Sequence, residues 1–262
     1  MEEQLMRPYM LFRRRFPDMM YEPESIRLWN VTEEGYEKAC SDACRALGIP
    51  HGAPGEPGGG EKRFCAEVLK ADGRAIILLN SVYREMPRES DRIIVHELSH
   101  LYYDLRSGTV EAELARRSLD ERDPLSKSGA RLWREFAAKH MTALVIGKPD
   151  EPERDALRRE FRAMLYHPDA LPERLGFFLA NQPEHQWDGD VADVLALDRS
   201  RPCCAELTDN LRNALDFLRA ALSPQSFFDV DRDFLIALGK MIAQFAYYYL
   251  SYFELTDRFI GA

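Results

Sequence analysis

The stretch Ile93–Tyr102, I-I-V-H-E-L-S-H-L-Y, decides the fold expected for this chain of 262 residues. Its apolar residues recur at helical spacing, and the face that they form consists of Ile94, Leu98, Leu101 and Leu105. The opposite face consists of His96, His100 and Tyr103. Ser90 is the expected N-cap, and no Pro or Gly interrupts the run before Gly108. The pattern therefore predicts an amphipathic helix over residues 90–105.

Two of these polar residues have the spacing of metal ligands. His96 and His100 lie four residues apart, so their imidazoles would project from one helical face and could bind the same metal ion. Glu97 lies about 100° around the helix from His96, where its carboxylate could take a proton from a bound water. One helical turn is therefore predicted to supply half a zinc site and a general base.

The residues that flank this motif are uncharged, and Ile93–Tyr102 resembles the extended H-E-x-x-H signature of the zincin metallopeptidases. The resemblance implies one Zn²⁺ ion per chain, with His96 and His100 among its ligands. It also implies hydrolysis of peptide bonds in a peptide or protein substrate, with Glu97 as the general base.

Catalytic zinc usually has three protein ligands and a water, so a third ligand is expected elsewhere in the chain. The metzincin continuation would place Gly at position 103 and His at position 106, but this chain has Tyr103 and Arg106. The metzincin arrangement is therefore excluded. The gluzincin arrangement instead brings a Glu from a second, downstream helix. Glu135 is the best candidate, because the small residues that follow Phe136 would let the two helices approach closely.

Other assignments stay open at this point. Glu135 could instead form i,i+4 pairs with Arg131 and Lys139 on a solvated helix face. The competing candidates for the third ligand are Asp104, Glu111, Glu113, Asp120 and His140. Asp104 could also hold a histidine N–H from behind, as carboxylates near zinc sites often do.

The segment Phe136–Pro149, F-A-A-K-H-M-T-A-L-V-I-G-K-P, resembles in part the F-A-x-x-L-L-x-P stretch of the ImmA/IrrE-like metallopeptidases. In that family the acidic ligand lies about one helical turn before the Phe, where this chain has Leu132. The chain therefore resembles gluzincins in general more than that branch, over roughly residues 90–145.

The composition excludes some function classes. Acidic residues outnumber basic ones by 44 to 35, so broad binding of nucleic acid through phosphate neutralisation is not expected. No secretory signal is visible, and five cysteines without zinc-knuckle spacing suit a reducing compartment, so a cytoplasmic location is expected. The apolar stretch Phe234–Phe253 nearly reaches the length of a membrane span, but a buried helix is the preferred interpretation.

The rest of the sequence indicates an α+β, predominantly helical fold. A helix over Thr32–Leu47, stopped by Gly48, precedes two strands at 63–69 and 74–80 that form a hairpin before the histidine helix. Helices are expected beyond Pro149 at 151–165, 171–181, 191–196, 205–222 and 234–256. We therefore expect a zincin-like core over residues 1–150 and a helical part over 151–262 that completes or covers the cleft.

Two other functions fit the same residues. The chain could be a zinc-containing regulatory or structural protein, in which a fourth protein ligand closes the site. It could also be a protease that acts on a single cellular protein. The sequence does not predict the oligomeric state.

Overall fold

The computed structural model describes residues 3–50, 64–116, 123–164, 171–189, 202–222 and 226–243. Its α-helices are α1 Glu3–Arg15, α2 Tyr36–Leu47, α3 Pro87–Arg106, α4 Gly108–Arg116, α5 Pro124–Ile146, α6 Glu151–Met164, α7 Leu171–Asn181, α8 Pro202–Ala221 and α9, residues 232–243. Its strands are β1 Ile26–Val31, β2 Ala66–Ala71 and β3 Arg74–Asn80. Short 3₁₀ turns lie at Pro23–Ser25, Ser81–Glu85 and Glu184–Gln186. The predicted α+β, mainly helical fold with a small sheet before the histidine helix is confirmed.

The hairpin predicted from the sequence joins β2 to β3. Its two turn residues, Asp72 and Gly73, have φ values of 48° and 73°, which is the backbone of a type I′ turn. The first strand is Ala66–Ala71 rather than residues 63–69, because only two residues are needed to reverse the chain with this twist.

The third strand, β1, was not predicted. It pairs in parallel with β3, so the order in the sheet is β1-β3-β2 and β3 is central. Residues 75–80 of β3 are all buried, as expected for a strand covered on both faces.

Helix α2 covers one face of the sheet. Its buried residues follow the helical repeat and are Cys40, Ala43, Cys44 and Leu47. Cys40, Ala43 and Leu47 pack with Ile76 and Leu78 of β3. Gly48 ends the helix as predicted, since its φ of 73° lets its N–H bond back to the carbonyls of Arg45 and Cys44. The predicted start at Thr32 is wrong, because Thr32 accepts a hydrogen bond from Gly35 in a turn and the helix begins at Tyr36.

Helix α1 packs against α3. Gln4 joins three elements, since its side chain donates to Ser90 Oγ on α3 at 2.9 Å and accepts from Asn30 on β1 at 3.2 Å. Tyr102 of α3 contacts the ring of Phe12 and donates a hydrogen bond to Asp18 at 2.8 Å. Ser90 is buried and lies within α3, three residues after its start, so the N-cap predicted there is wrong. The helix begins at Pro87, whose fixed φ suits the first helical position.

Two glycines allow α5 and α9 to approach at backbone distance. A Cβ on Gly129 of α5 would lie 1.8 Å from the carbonyl oxygen of Leu235, and one on Gly239 of α9 would lie 1.9 Å from that of Leu125. Gly176 of α7 makes a third close approach to α5, at 2.4 Å from the carbonyl oxygen of Leu132. Helix α5 therefore has helices α7 and α9 against its backbone.

Aromatic side chains of α5 fill the space around it. Trp133 is fully buried and its ring lies 5.4 Å from Phe136, 5.6 Å from Phe227 and 5.1 Å from Phe234. Phe136 in turn contacts Trp187 edge to face at 5.7 Å. Such pairs add to the burial energy of large rings, so α5 forms the centre of this core.

By internal packing the chain divides into two compact units. One comprises Met1–Tyr103 and Met141–Gly147, and the other Asp104–His140 and Lys148–Ala262. The first contains the sheet with α1 and α2, and the second contains α4 and α6–α9. The boundary expected at residue 150 stays a prediction.

The helices expected beyond Pro149 agree with the structure where it describes them. Helices α6, α7 and α8 lie within three residues of the predicted bounds, and 234–243 of the expected last helix is helical. The segment 191–196, and the last helix beyond residue 243, lie outside the described residues. Across the described helices, none combines the length and apolar composition that crossing a bilayer requires.

Candidate metal site

Helix α3 has the amphipathic character that its sequence predicts. Ile94, Leu98 and Leu101 of the predicted apolar face are fully buried. Leu105 of the same face is 42% exposed, because it lies in the last turn of the helix. Tyr103, expected beside the histidines, is itself fully buried, so most of this helix is covered on several sides.

The two histidines face each other. His100 Nε2 lies 3.1 Å from His96 Nε2, and their rings are inclined by 77° with centroids 4.5 Å apart. Two Zn–N bonds of about 2.05 Å at a tetrahedral angle would separate the nitrogens by about 3.3 Å. The pair therefore has almost the separation that one zinc ion requires.

Glu135 of α5 belongs to the same group of side chains. The ligand atoms of His96, His100 and Glu135 all lie within 4.8 Å of one another, so the group could hold a metal ion. Small rotations of a Glu side chain move its carboxylate by an ångström or more, which is enough to bring the oxygen to bonding distance. Of the ligand candidates from the sequence, the structure brings these three together.

The competing ligand candidates have other surroundings. Both oxygens of Asp104 accept hydrogen bonds from Arg134, with Nη2 to Oδ2 at 2.8 Å and Nε to Oδ1 at 3.0 Å. Glu113 is buried and accepts a hydrogen bond from Ser126 Oγ at 2.8 Å. Glu111 is half-buried on α4, and Asp120 lies outside the described residues.

The fifth candidate, His140, lies among aromatic rings. Its imidazole stacks on Phe136 at 5.9 Å and contacts Phe227 at 5.6 Å. Burial lowers the pKa of His140 to about 4, and the positive charge of Lys148 acts in the same direction. A histidine in this environment is neutral at pH 7.

Glu97, the predicted general base, follows His96 directly on α3. The residue is 7% exposed, so it is largely shielded from water. Ser99, two residues on, donates to the carbonyl of Val95 at 2.8 Å and lies 3.4 Å from Thr142 Oγ1 of α5. The last bond joins the histidine helix to the helix of Glu135.

Sequence reasoning missed Arg134, which joins the same two helices through Asp104. A signal was available, because Arg134, Ala138 and Thr142 recur at intervals of four and so share one face of α5. Arg131, considered as a partner of Glu135, forms an ion pair with Glu173 of α7.

Comparisons with family models, curated proteins and solved structures find no match. The resemblance to metallopeptidases therefore depends on the sequence patterns alone and stays a prediction. The geometric finding is narrower: two imidazoles and one carboxylate converge in a group that could hold a metal ion.

Proposed function

We propose that this protein is a zinc-dependent peptidase. One observation carries the proposal: Glu135, separated from the histidines by more than thirty residues of sequence, has its carboxylate within 4.8 Å of both imidazoles. A chance H-E-x-x-H match on a surface helix would have no reason to meet a third ligand. Here the third candidate ligand is a Glu on a downstream helix, which is what the gluzincin arrangement requires.

The donor set fits zinc. Two neutral imidazoles and one carboxylate form the ligand set of several catalytic zinc sites, and three protein ligands leave a fourth position for water or substrate. Calcium and magnesium prefer oxygen donors, so a site with two nitrogens selects against them. His96, His100 and Glu135 would hold the ion.

In this proposal the zinc ligands hold the metal and Glu97 transfers the proton during peptide hydrolysis. Zinc at such a site lowers the pKa of water toward 7 and polarises a carbonyl group. Glu97 takes one proton from the attacking water as the C–O bond forms. It then gives that proton to the amide nitrogen, so the C–N bond breaks with a neutral amine as the leaving group. Because Glu97 is largely buried, its carboxylate has little competing water to solvate it.

The first test is metal content. We expect elemental analysis of protein purified without chelator to give about one zinc per chain, and much less in His96→Ala and Glu135→Ala. Zinc retained in Glu135→Ala would show that the third ligand is a residue other than Glu135. Wild-type protein without zinc, even after incubation with zinc salts, would refute the metal site itself.

The second test separates a peptidase from a zinc protein without turnover. Wild-type protein and Glu97→Gln would be incubated with a mixture of cellular peptides, and new termini would be identified by mass spectrometry. We expect cleavage by wild type only, with equal zinc in both proteins, because Gln cannot accept the proton. Equal cleavage by Glu97→Gln would contradict this mechanism.

Repeating the incubation with intact cellular proteins separates the two kinds of protease. Cleavage of many sequences indicates a general peptidase, and cleavage confined to one protein indicates a dedicated one. No cleavage in either mixture, with zinc present, would favour the regulatory or structural alternative.

A further inference from the structure

A buried ion pair connects helix α3 to helix α5. The side chain of Asp104 is 1% exposed, and the Arg134 guanidinium donates to both of its oxygens at 2.8, 3.0 and 3.3 Å. A forked contact of this kind fixes the direction as well as the distance between its partners. A carboxylate so deeply buried is tolerated because it is paired.

The ion pair has a defined position relative to the metal group. Asp104 lies four residues after His100, so the two residues share a face of α3. Arg134 immediately precedes Glu135 on α5. The pair therefore joins the two ligand-bearing helices within about one helical turn of a ligand on each.

A second bond joins the same helices farther along α5. Ser99 Oγ lies 3.4 Å from Thr142 Oγ1, and Thr142 follows Glu135 by seven residues, which is about two turns. Glu135 thus lies between two cross-links to α3. Motion of α5 along or around its axis at Glu135 would break one or both of them.

We propose that Asp104 and Arg134 are positioning residues that hold Glu135 at the distance from His96 and His100 that zinc binding requires. This inference rests on the proposed function, since it assigns the pair to the same metal site. Two histidines alone bind zinc more weakly than a set of three ligands, so the affinity depends on where α5 places its carboxylate. Neither residue of the pair needs to touch the metal for this role.

Conservative variants test the role. Asp104→Asn keeps the shape of the side chain and removes its charge, and Arg134→Lys keeps the charge but loses the fork. The matched control is Arg131→Lys, because Arg131 lies on the same helix with similar exposure and forms an ion pair with Glu173, which belongs to α7 rather than α3. Zinc affinity would be measured by competition with a chromophoric chelator, and unfolding by urea in EDTA would report stability without metal.

We expect the zinc Kd to rise by about 10–100-fold in Asp104→Asn and Arg134→Lys, which is the usual effect of losing a group that orients a ligand. Arg131→Lys should bind zinc as wild type does, even where its stability in EDTA falls. The visible spectrum of the Co²⁺-loaded protein should change in the two pair variants and not in the control, since it reports coordination geometry.

The outcomes distinguish this inference from the proposed function. Equal losses of zinc affinity in Arg134→Lys and Arg131→Lys would show a general effect of α5 stability and overturn the positioning role. Wild-type affinity and an unchanged Co²⁺ spectrum in both pair variants would also overturn it, while leaving the zinc site intact. Absence of zinc binding by wild type would refute the proposed function instead.

Discussion

Replacing Gly239 by Ala tests the close packing of α9 on α5. The new Cβ would lie 1.9 Å from the carbonyl oxygen of Leu125 and 2.8 Å from its Cα. Ordinary contacts begin at 3.4 Å, so the helices would have to separate by about 1.5 Å at this point. Both obstructing atoms belong to the backbone, and no change of rotamer can relieve the clash.

The magnitude follows from two opposing effects. Overpacking a buried site costs about 1–3 kcal/mol and sometimes more, and a backbone obstacle places this substitution at the upper end. Ala regains about 1 kcal/mol of helix propensity over Gly. We therefore expect a net loss of about 2 kcal/mol, or a fall in Tm of about 4–8 °C for a chain of this size.

Thermal and urea unfolding followed by circular dichroism measure this loss. Gly108→Ala is the control, because Gly108 opens α4 and a Cβ there meets no atom within 4 Å. The control should unfold with wild type or slightly above it. If Gly239→Ala also unfolds with wild type, the close approach of α9 to α5 is wrong.

Three further predictions concern stability. The pKa of His140 is lowered from 6.5 to about 4 in the folded protein, so the stability that neutral His140 contributes is complete above pH 6.5 and is lost as pH falls toward 4. Urea unfolding in EDTA should show the free energy of unfolding falling by about 3 kcal/mol between these two pH values. This pH dependence should be much weaker in His140→Leu. Zinc at 100 times its Kd should stabilise wild type by about 2.7 kcal/mol in urea unfolding, and an equal shift in His96→Ala would contradict the site. Gly73→Ala should destabilise by about 1–2 kcal/mol because its φ is 73°, and a neutral result would exclude the type I′ turn.

Local signals in the sequence were sufficient for the elements near the candidate site. The period of α3, the stop at Gly48 and the Asp72–Gly73 turn each depend on a few neighbouring residues, and the structure contains all three. Strand β1 was missed because its pairing partner lies far along the chain and its six residues include exposed Arg27 and Asn30.

The assignment of Glu135 shows a different limit. Its residue type and helix could be inferred from the sequence, but i,i+4 pairing with Arg131 was an equally local alternative. Arg131 also has a partner on another helix, Glu173 of α7, and only the tertiary fold brings that residue within reach. The prediction that α3 begins at Ser90 was wrong for a similar reason, since the Ser90 hydroxyl accepts a hydrogen bond from Gln4 of α1 rather than capping the helix.

The parallel pairing of β1 also constrains how the sheet can assemble during synthesis. Two residues separate β2 from β3, whereas Ile26 and its partner Ala75 are 49 residues apart. Closing the loop between β1 and β3 costs more entropy than closing the hairpin. The hairpin can form in microseconds, and β1 then pairs with the free edge of β3. In the described sheet β1 pairs with β3. We therefore expect β1, the first of the three strands to be synthesised, to join the sheet after the hairpin has formed.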